Sequence, residues 1–246
     1  MKVLYPSISR LSEVRAVFML NIQSLLDTLS QFIRDRDAVY KSIQEEKNLK
    51  EYFIASTIAT LLFGAVYGIV MGFYAGGLQI LYDAVKIPLL LLVSLYVSLP
   101  TYYVLNGILG GDLSLRQLTV LFMVSISLLT MMLMAFFPVT LFFTLTTPER
   151  TFTTYGFTVL INVLFFGISG VTAVSYLLQG FSRIHGENKR WVLAMIIGSC
   201  VLAFVGTQLA WVLRPYFHVS EAFIAPPSGN FYIALFELII RLLRGW

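Results

Sequence analysis

Five apolar stretches of roughly twenty residues, at about 52–74, 87–109, 118–141, 155–178 and 191–213, decide what this chain can fold into. A run of that length matches the hydrocarbon thickness of a bilayer when it is coiled as a helix. In lipid a backbone must satisfy its own hydrogen bonds, which leaves helices or closed barrels, and continuous apolar runs exclude the barrel's alternation. Composition agrees: 58% of the residues are hydrophobic and 12% are charged. The mean hydropathy is +0.81. A soluble domain carries about twice that share of charge. The expected fold class is an all-α membrane protein, a five-transmembrane-helix bundle with short connections between antiparallel neighbours.

The first stretch carries a second constraint. Gly64, Gly68, Gly72 and Gly76 recur every fourth residue. In a water-exposed helix each would cost about 1 kcal/mol against Ala. In a membrane, small residues four apart make a flat stripe that lets another backbone approach closely. This glycine-zipper pattern reads first as a packing seam inside the bundle, with a homo-oligomer seam or a lipid-contact groove as the alternative. Asn106, Asn162 and Gln208 are the polar residues placed deep in the spans, and interhelical hydrogen bonding is their expected role. Pro88, Pro100 and Pro138 are expected to bend or locally open their helices.

Before the first span, residues 1–51 form a hydrophilic segment. Leu11, Val14, Phe18, Ile22, Leu25, Leu29 and Phe32 step by three and four, which marks one face of an amphipathic helix. That face suits the membrane surface, the protein's own bundle or a partner protein. Phe18, Ile22, Leu25, Leu29 and Phe32 are the candidate partner face. Residues 36–50 (Arg36, Val39-Tyr40, Ile43, Glu46, Leu49-Lys50) resemble the WASP-homology actin-binding motif, a short helix followed by a Leu-Lys pair. Glu46 stands where the motif prefers a small residue, and Lys50 lies two residues before the span, so the segment reads as a lookalike.

Charge distribution sets the expected orientation. Lys2, Arg10, Arg15, Arg34, Arg36, Lys41, Lys47, Lys50, Arg116, Arg183, Lys189 and Arg190 fall on one side, and Lys86, Arg150, Arg214, Arg241 and Arg244 on the other. Twelve against five places the N-terminus in the cytoplasm and the C-terminus outside. The expected organisation is a cytoplasmic segment at 1–51, the transmembrane domain at 52–214 and an extracytoplasmic tail at 215–246. In the tail, Glu237, Arg241 and Arg244 share a helix face, with an i,i+4 acid–base pair and Trp246 suited to an interface. No cleavable leader precedes the first span, which is therefore expected to direct targeting.

Chemistry is sparse. Asp83 and Lys86 read as part of the first outer loop, with Lys86 snorkelling from a helix end. His185 and His218 are distant and Cys200 is alone, so neither a metal site nor a disulfide is expected. No protease constellation and no phosphate-cradling loop is present. Gly110-Gly111-Asp112 reads as a turn supplying an N-cap for the third span. The basic residues sit at helix ends rather than in a patch, which excludes a nucleic-acid surface. No cofactor is expected.

Three further runs carry a resemblance: Lys86-Ile87-Pro88-Leu89-Leu90; Pro100-Thr101-Tyr102-Tyr103-Val104-Leu105-Asn106 with Leu109-Gly110-Gly111; and Phe204 to Trp211 with Leu213-Arg214-Pro215-Tyr216-Phe217 and Gly229-Asn230-Phe231-Tyr232. Across about residues 60–235 the chain resembles a bacterial branch of the Yip-type (Rab-interacting) five-span membrane proteins, members of which are sometimes labelled actin-binding. The resemblance implies a five-helix bundle with a cytoplasmic N-terminal region, and no catalytic residue or substrate. The expected function is a non-enzymatic inner-membrane scaffold or subunit of a membrane complex, contacting other proteins through residues 1–50 and open to homo-oligomerisation. The alternative is a permease or accessory subunit of an ABC-type transporter, to which an N-terminal amphipathic helix before a short bundle is also similar. A lipid-modifying enzyme is the third and least favoured reading.

Overall fold

The computed structural model describes residues 22–108, 111–147, 151–185, 190–217, 223–226 and 229–244. All regular structure among them is helical: α1 (residues 22–34), α2 (Arg36–Gln44), α3 (Leu49–Phe73), α4 (Gln79–Ile108), α5 (Leu115–Thr146), α6 (Phe152–His185), α7 (Arg190–Val212) and α8 (Phe231–Leu243). Helices α3 to α7 are long and apolar enough to cross a membrane, as the sequence requires. Several exceed their apolar stretches. The 34 residues of α6 extend about 50 Å, longer than a hydrocarbon core about 30 Å thick.

The long helices pack in the spatial order α6, α5, α3, α4, α7, with α4 also reaching α5. Sequence neighbours α6 and α7 meet only slightly, contrary to the expectation that successive helices pair. The glycines account for this order. A Cβ on Gly64 would stand 3.5 Å from Pro88. One on Gly68 would collide with the Asp83 carbonyl, and one on Gly72 would lie 2.6 Å from Ile80 Cα. At Gly68 and Gly72, then, the backbones of α3 and α4 lie as close as absent side chains permit, and α5 takes another side of α3. Gly76 lies beyond the helix: α3 ends at Phe73, and Gly76 turns the chain with φ +78°. A left-handed residue just past a helix is where glycine costs least.

α5 lies at the centre. Two thirds of its most apolar window is buried, against 12% for α7. Its start is fixed by a capping box in which the Ser114 hydroxyl accepts from Gln117 N and the Gln117 side chain accepts from Ser114 N. The cap is therefore Ser114 rather than the Gly-Gly-Asp turn, because Ser-x-x-Gln satisfies two orphan amides at once. Helices α4 and α5 run unbroken over Pro88, Pro100 and Pro138.

Graded contact along the glycine face makes a test. Gly68→Ala should destabilise the detergent-solubilised protein by about 2 kcal/mol, because backbone must move to admit the methyl. Gly64→Ala should be within about 0.5 kcal/mol of wild type. Equal unfolding midpoints for the two variants would remove the close α3–α4 approach.

Candidate functional site

Two polar assemblies stand at opposite ends of the bundle. The first joins α1 and α2 to the ends of α5 and α6. Asp35 separates the two short helices, its carboxylate accepting from Ala38 N at 3.2 Å. On α2, Val39, Tyr40 and Ile43 are all buried. The Tyr40 hydroxyl donates to Tyr176 O at 2.9 Å, and burial holds its phenol pKa well above the usual range. Gln117 Nε2 donates to Ile43 O and Gln44 O at 3.1 and 3.0 Å, closing the carbonyl end of α2. Arg183 Nε pairs with Asp37 Oδ1 at 3.1 Å on the surface. α1 is tied to the start of α3: Thr28 Oγ1 donates to Glu51 Oε1 at 3.0 Å, and Phe32 meets the Tyr52 ring edge-on at 5.5 Å.

This docking corrects the candidate partner face. Leu29 is 6% exposed, Phe32 is fully buried and Leu25 packs against the same core. The stripe covers the protein's own bundle because the aromatic and aliphatic ends of α3, α5 and α6 offer it an apolar seat. Ile22 lies at its margin, 37% exposed, and Phe18 lies outside the described residues. The opposite side of α1 presents Leu26, 52% exposed, and Ile33. The WASP-like segment is likewise consumed internally: its apolar positions are buried, and Leu49-Lys50 form the first turn of α3.

The second assembly occupies the other end, where α4 begins. Asp83 and Lys86 are not in a loop. α4 starts at Gln79, and Gln79, Asp83 and Lys86 are inside it and buried. Gln79 Nε2 donates to Asp83 Oδ1 and to Pro215 O, both at 2.6 Å. Lys86 Nζ donates to Pro215 O at 2.6 Å and lies 3.8 Å from Asp83 Oδ1. The rings of Tyr82, Tyr216 and Phe223 surround the ammonium at 5.8, 5.3 and 5.2 Å from their centroids, a distance at which a cation is attracted to an aromatic face. Among the described residues, Gln79 Oε1, Asp83 Oδ2 and the Tyr216 hydroxyl have no hydrogen-bond partner. Burial, reinforced by the Asp83 charge, keeps the Tyr216 phenol protonated far above its usual range.

The cluster fastens the segment after α7 onto α4. Arg214 extends the fastening, donating to Trp211 O and Pro226 O at 2.9 Å each and stacking on the Trp211 ring at 3.9 Å. Beyond it, α8 bridges α7 and α6: the Tyr232 hydroxyl meets Thr207 Oγ1 at 2.9 Å, and Leu242 fills the space over Gly156. Glu237 and Arg241 do not form the expected pair among the described ion pairs.

The three deep polar residues behave differently from one another. Asn162 Oδ1 accepts from the Tyr67 hydroxyl at 2.8 Å, linking α6 to α3, with Thr140 of α5 at 3.3 Å from the same hydroxyl. Asn106 instead donates to Gly111 O and Leu113 O, holding the turn after its own helix. Gln208 makes no hydrogen bond among the described residues, being half-buried on the least covered helix. Among the described residues no His, Cys, Asp and Glu cluster suits a metal.

Comparison with known proteins finds no matching family model, no similar curated protein and no similar solved structure.

The buried pair predicts a particular pattern of coupling. Lys86→Met alone should cost about 3 kcal/mol in detergent, because it strands the Asp83 charge. Asp83→Leu combined with Lys86→Met should cost less than the sum of the single changes. Strict additivity in a double-mutant cycle would mean that the two charges do not act as a pair.

Proposed function

We propose that this protein is a non-enzymatic integral membrane scaffold, or a subunit of a membrane protein complex, of the Yip-like type. It sits in a bacterial inner membrane with its N-terminus cytoplasmic and its C-terminus outside, α8 lying at the outer interface. The resemblance over residues 60–235 and the twelve-to-five split of basic residues support this reading.

The observation that carries it is the α1–α2 platform. Two short helices are held against the bundle by the bonds of Tyr40, Gln117 and Arg183, and α1 turns Ile22 and Leu26 outward. A fixed apolar pair one helical turn apart is what a partner's groove or helix engages at little ordering cost. Asn162 and Asn106 are spent on a helix–helix and a helix–turn bond, which favours a structural bundle over a transport pathway. The permease reading draws on the buried Asp83–Lys86 pair, since ionisable groups within membrane helices commonly mark transport routes.

Affinity purification of the full-length protein from native membranes in gentle detergent, with mass spectrometry of what co-purifies, tests both readings. The expected result is a stoichiometric protein partner that is lost from the Ile22→Asp/Leu26→Asp variant while its unfolding midpoint stays near wild type. Retention of the partner by that variant would end the platform reading. A co-purifying ATPase would replace the scaffold with the transporter.

A further inference from the structure

The platform and the bundle do not meet flush. Between the α1–α2 elbow and the adjacent ends of α6 and α7 lies a cleft of about 730 Å³, within the range that holds small ligands. We propose that it binds the phosphate group of an anionic phospholipid.

Donors dominate its lining. The elbow supplies Arg34 and Arg36, α6 supplies Ser182 and Arg183, and α7 supplies Trp191. Arg34 and Ser182 have no hydrogen-bond or ionic partner among the described residues. Arg36 gives one N–H to Gln179 Oε1 at 3.3 Å and rests over the Tyr176 ring at 5.8 Å, which leaves most of its five donors unused. Trp191 Nε1 is buried with no acceptor among the described residues, although buried donors almost always have one. Two carboxylates also line the cleft and both are committed: Asp35 caps α2, and Asp37 pairs with Arg183. Three arginines against two aspartates leave the lining positive. A cleft with spare N–H and O–H groups and committed acceptors selects an anion, and guanidinium forks match phosphate oxygens in particular.

The position favours a lipid over a soluble phosphate. The cleft opens where the apolar lengths of α6 and α7 end, at Ile184 and Trp191. An indole at that level is characteristic of a membrane–water boundary. Ile33 and Leu178 add apolar walls beside the arginines, so a bound headgroup could keep its acyl chains against the bundle. The inference is independent of whether a protein partner uses α1.

The test titrates the full-length protein in mild detergent with phosphatidylglycerol, phosphatidylcholine or inorganic phosphate, reading bound lipid by native mass spectrometry and phosphate by the shift in unfolding temperature. Wild type should take up phosphatidylglycerol in preference to phosphatidylcholine. Arg34→Gln, which breaks no described contact, should weaken that uptake about fivefold. Arg241→Gln/Arg244→Gln, on α8 at the other end, should leave it unchanged. Equal uptake by Arg34→Gln and wild type, or no preference between the two lipids, would overturn the site. Inorganic phosphate acting at concentrations as low as phosphatidylglycerol, and losing its effect in Arg34→Gln, would overturn the lipid as its source.

Discussion

The fold depends on how closely α3 and α4 approach at Gly68, where the Asp83 carbonyl occupies the place a side chain would take. Lipid tails are as apolar as leucine, so helices in a membrane gain little from hiding apolar surface and must gain from close packing instead. The glycine face supplies that packing at Gly68 and Gly72. It also fixes where the first residues of α4 lie. Gln79, Asp83 and Lys86 are carried by the same helical turns that α3 holds, and their polar ends converge on the segment after α7. One backbone contact thus sets both the helix order and the fastening of the C-terminal end.

Among the described residues, buried ionisable side chains of the acidic and basic types are confined to one such fastening. Lys86 is compensated three ways: by the Pro215 carbonyl, by Asp83 and by a ring of aromatic faces. A buried pair of this kind contributes little net stability against apolar residues of equal volume, but removing one member is costly. The arrangement makes the geometry of the strap specific rather than strong. At the other end the opposite holds: arginines and aspartates are exposed, screened by solvent and only partly paired. That is the end with chemistry left over.

Much of the architecture was legible in the residues. Five apolar runs of bilayer length gave five helices, and glycines four apart marked the α3 face against which α4 lies. Asn162 was readable as an interhelical bond, because a lone amide deep in an apolar helix must find a partner. The errors came from tertiary context. Asp83 and Lys86 lie within α4 and not in the outer loop, and Gln79, Asp83 and Lys86 recur at i, i+4 and i+7, the period of one helix face. The stripe ending at Leu29 and Phe32 was correctly periodic, but periodicity states that a face is buried and not what buries it. Nor could any local pattern reveal the cleft at Arg34, whose walls are brought together from residues more than 140 positions apart.

The slight contact between α6 and α7 bears on the order in which the protein can be built. Helices α3, α5 and α6 can bury one another as soon as they have been inserted, since α7 packs chiefly on α4. α7 then finds a finished surface on α4, with Gly198 opposite the Tyr102 ring. Only when residues 215 to 223 emerge can the carbonyl of Pro215 and the ring of Phe223 reach Lys86. Until that moment its ammonium stands uncovered at the end of a helix, where water or a lipid headgroup can solvate it. The segment after α7 therefore completes the cover of a charge that α4 carries.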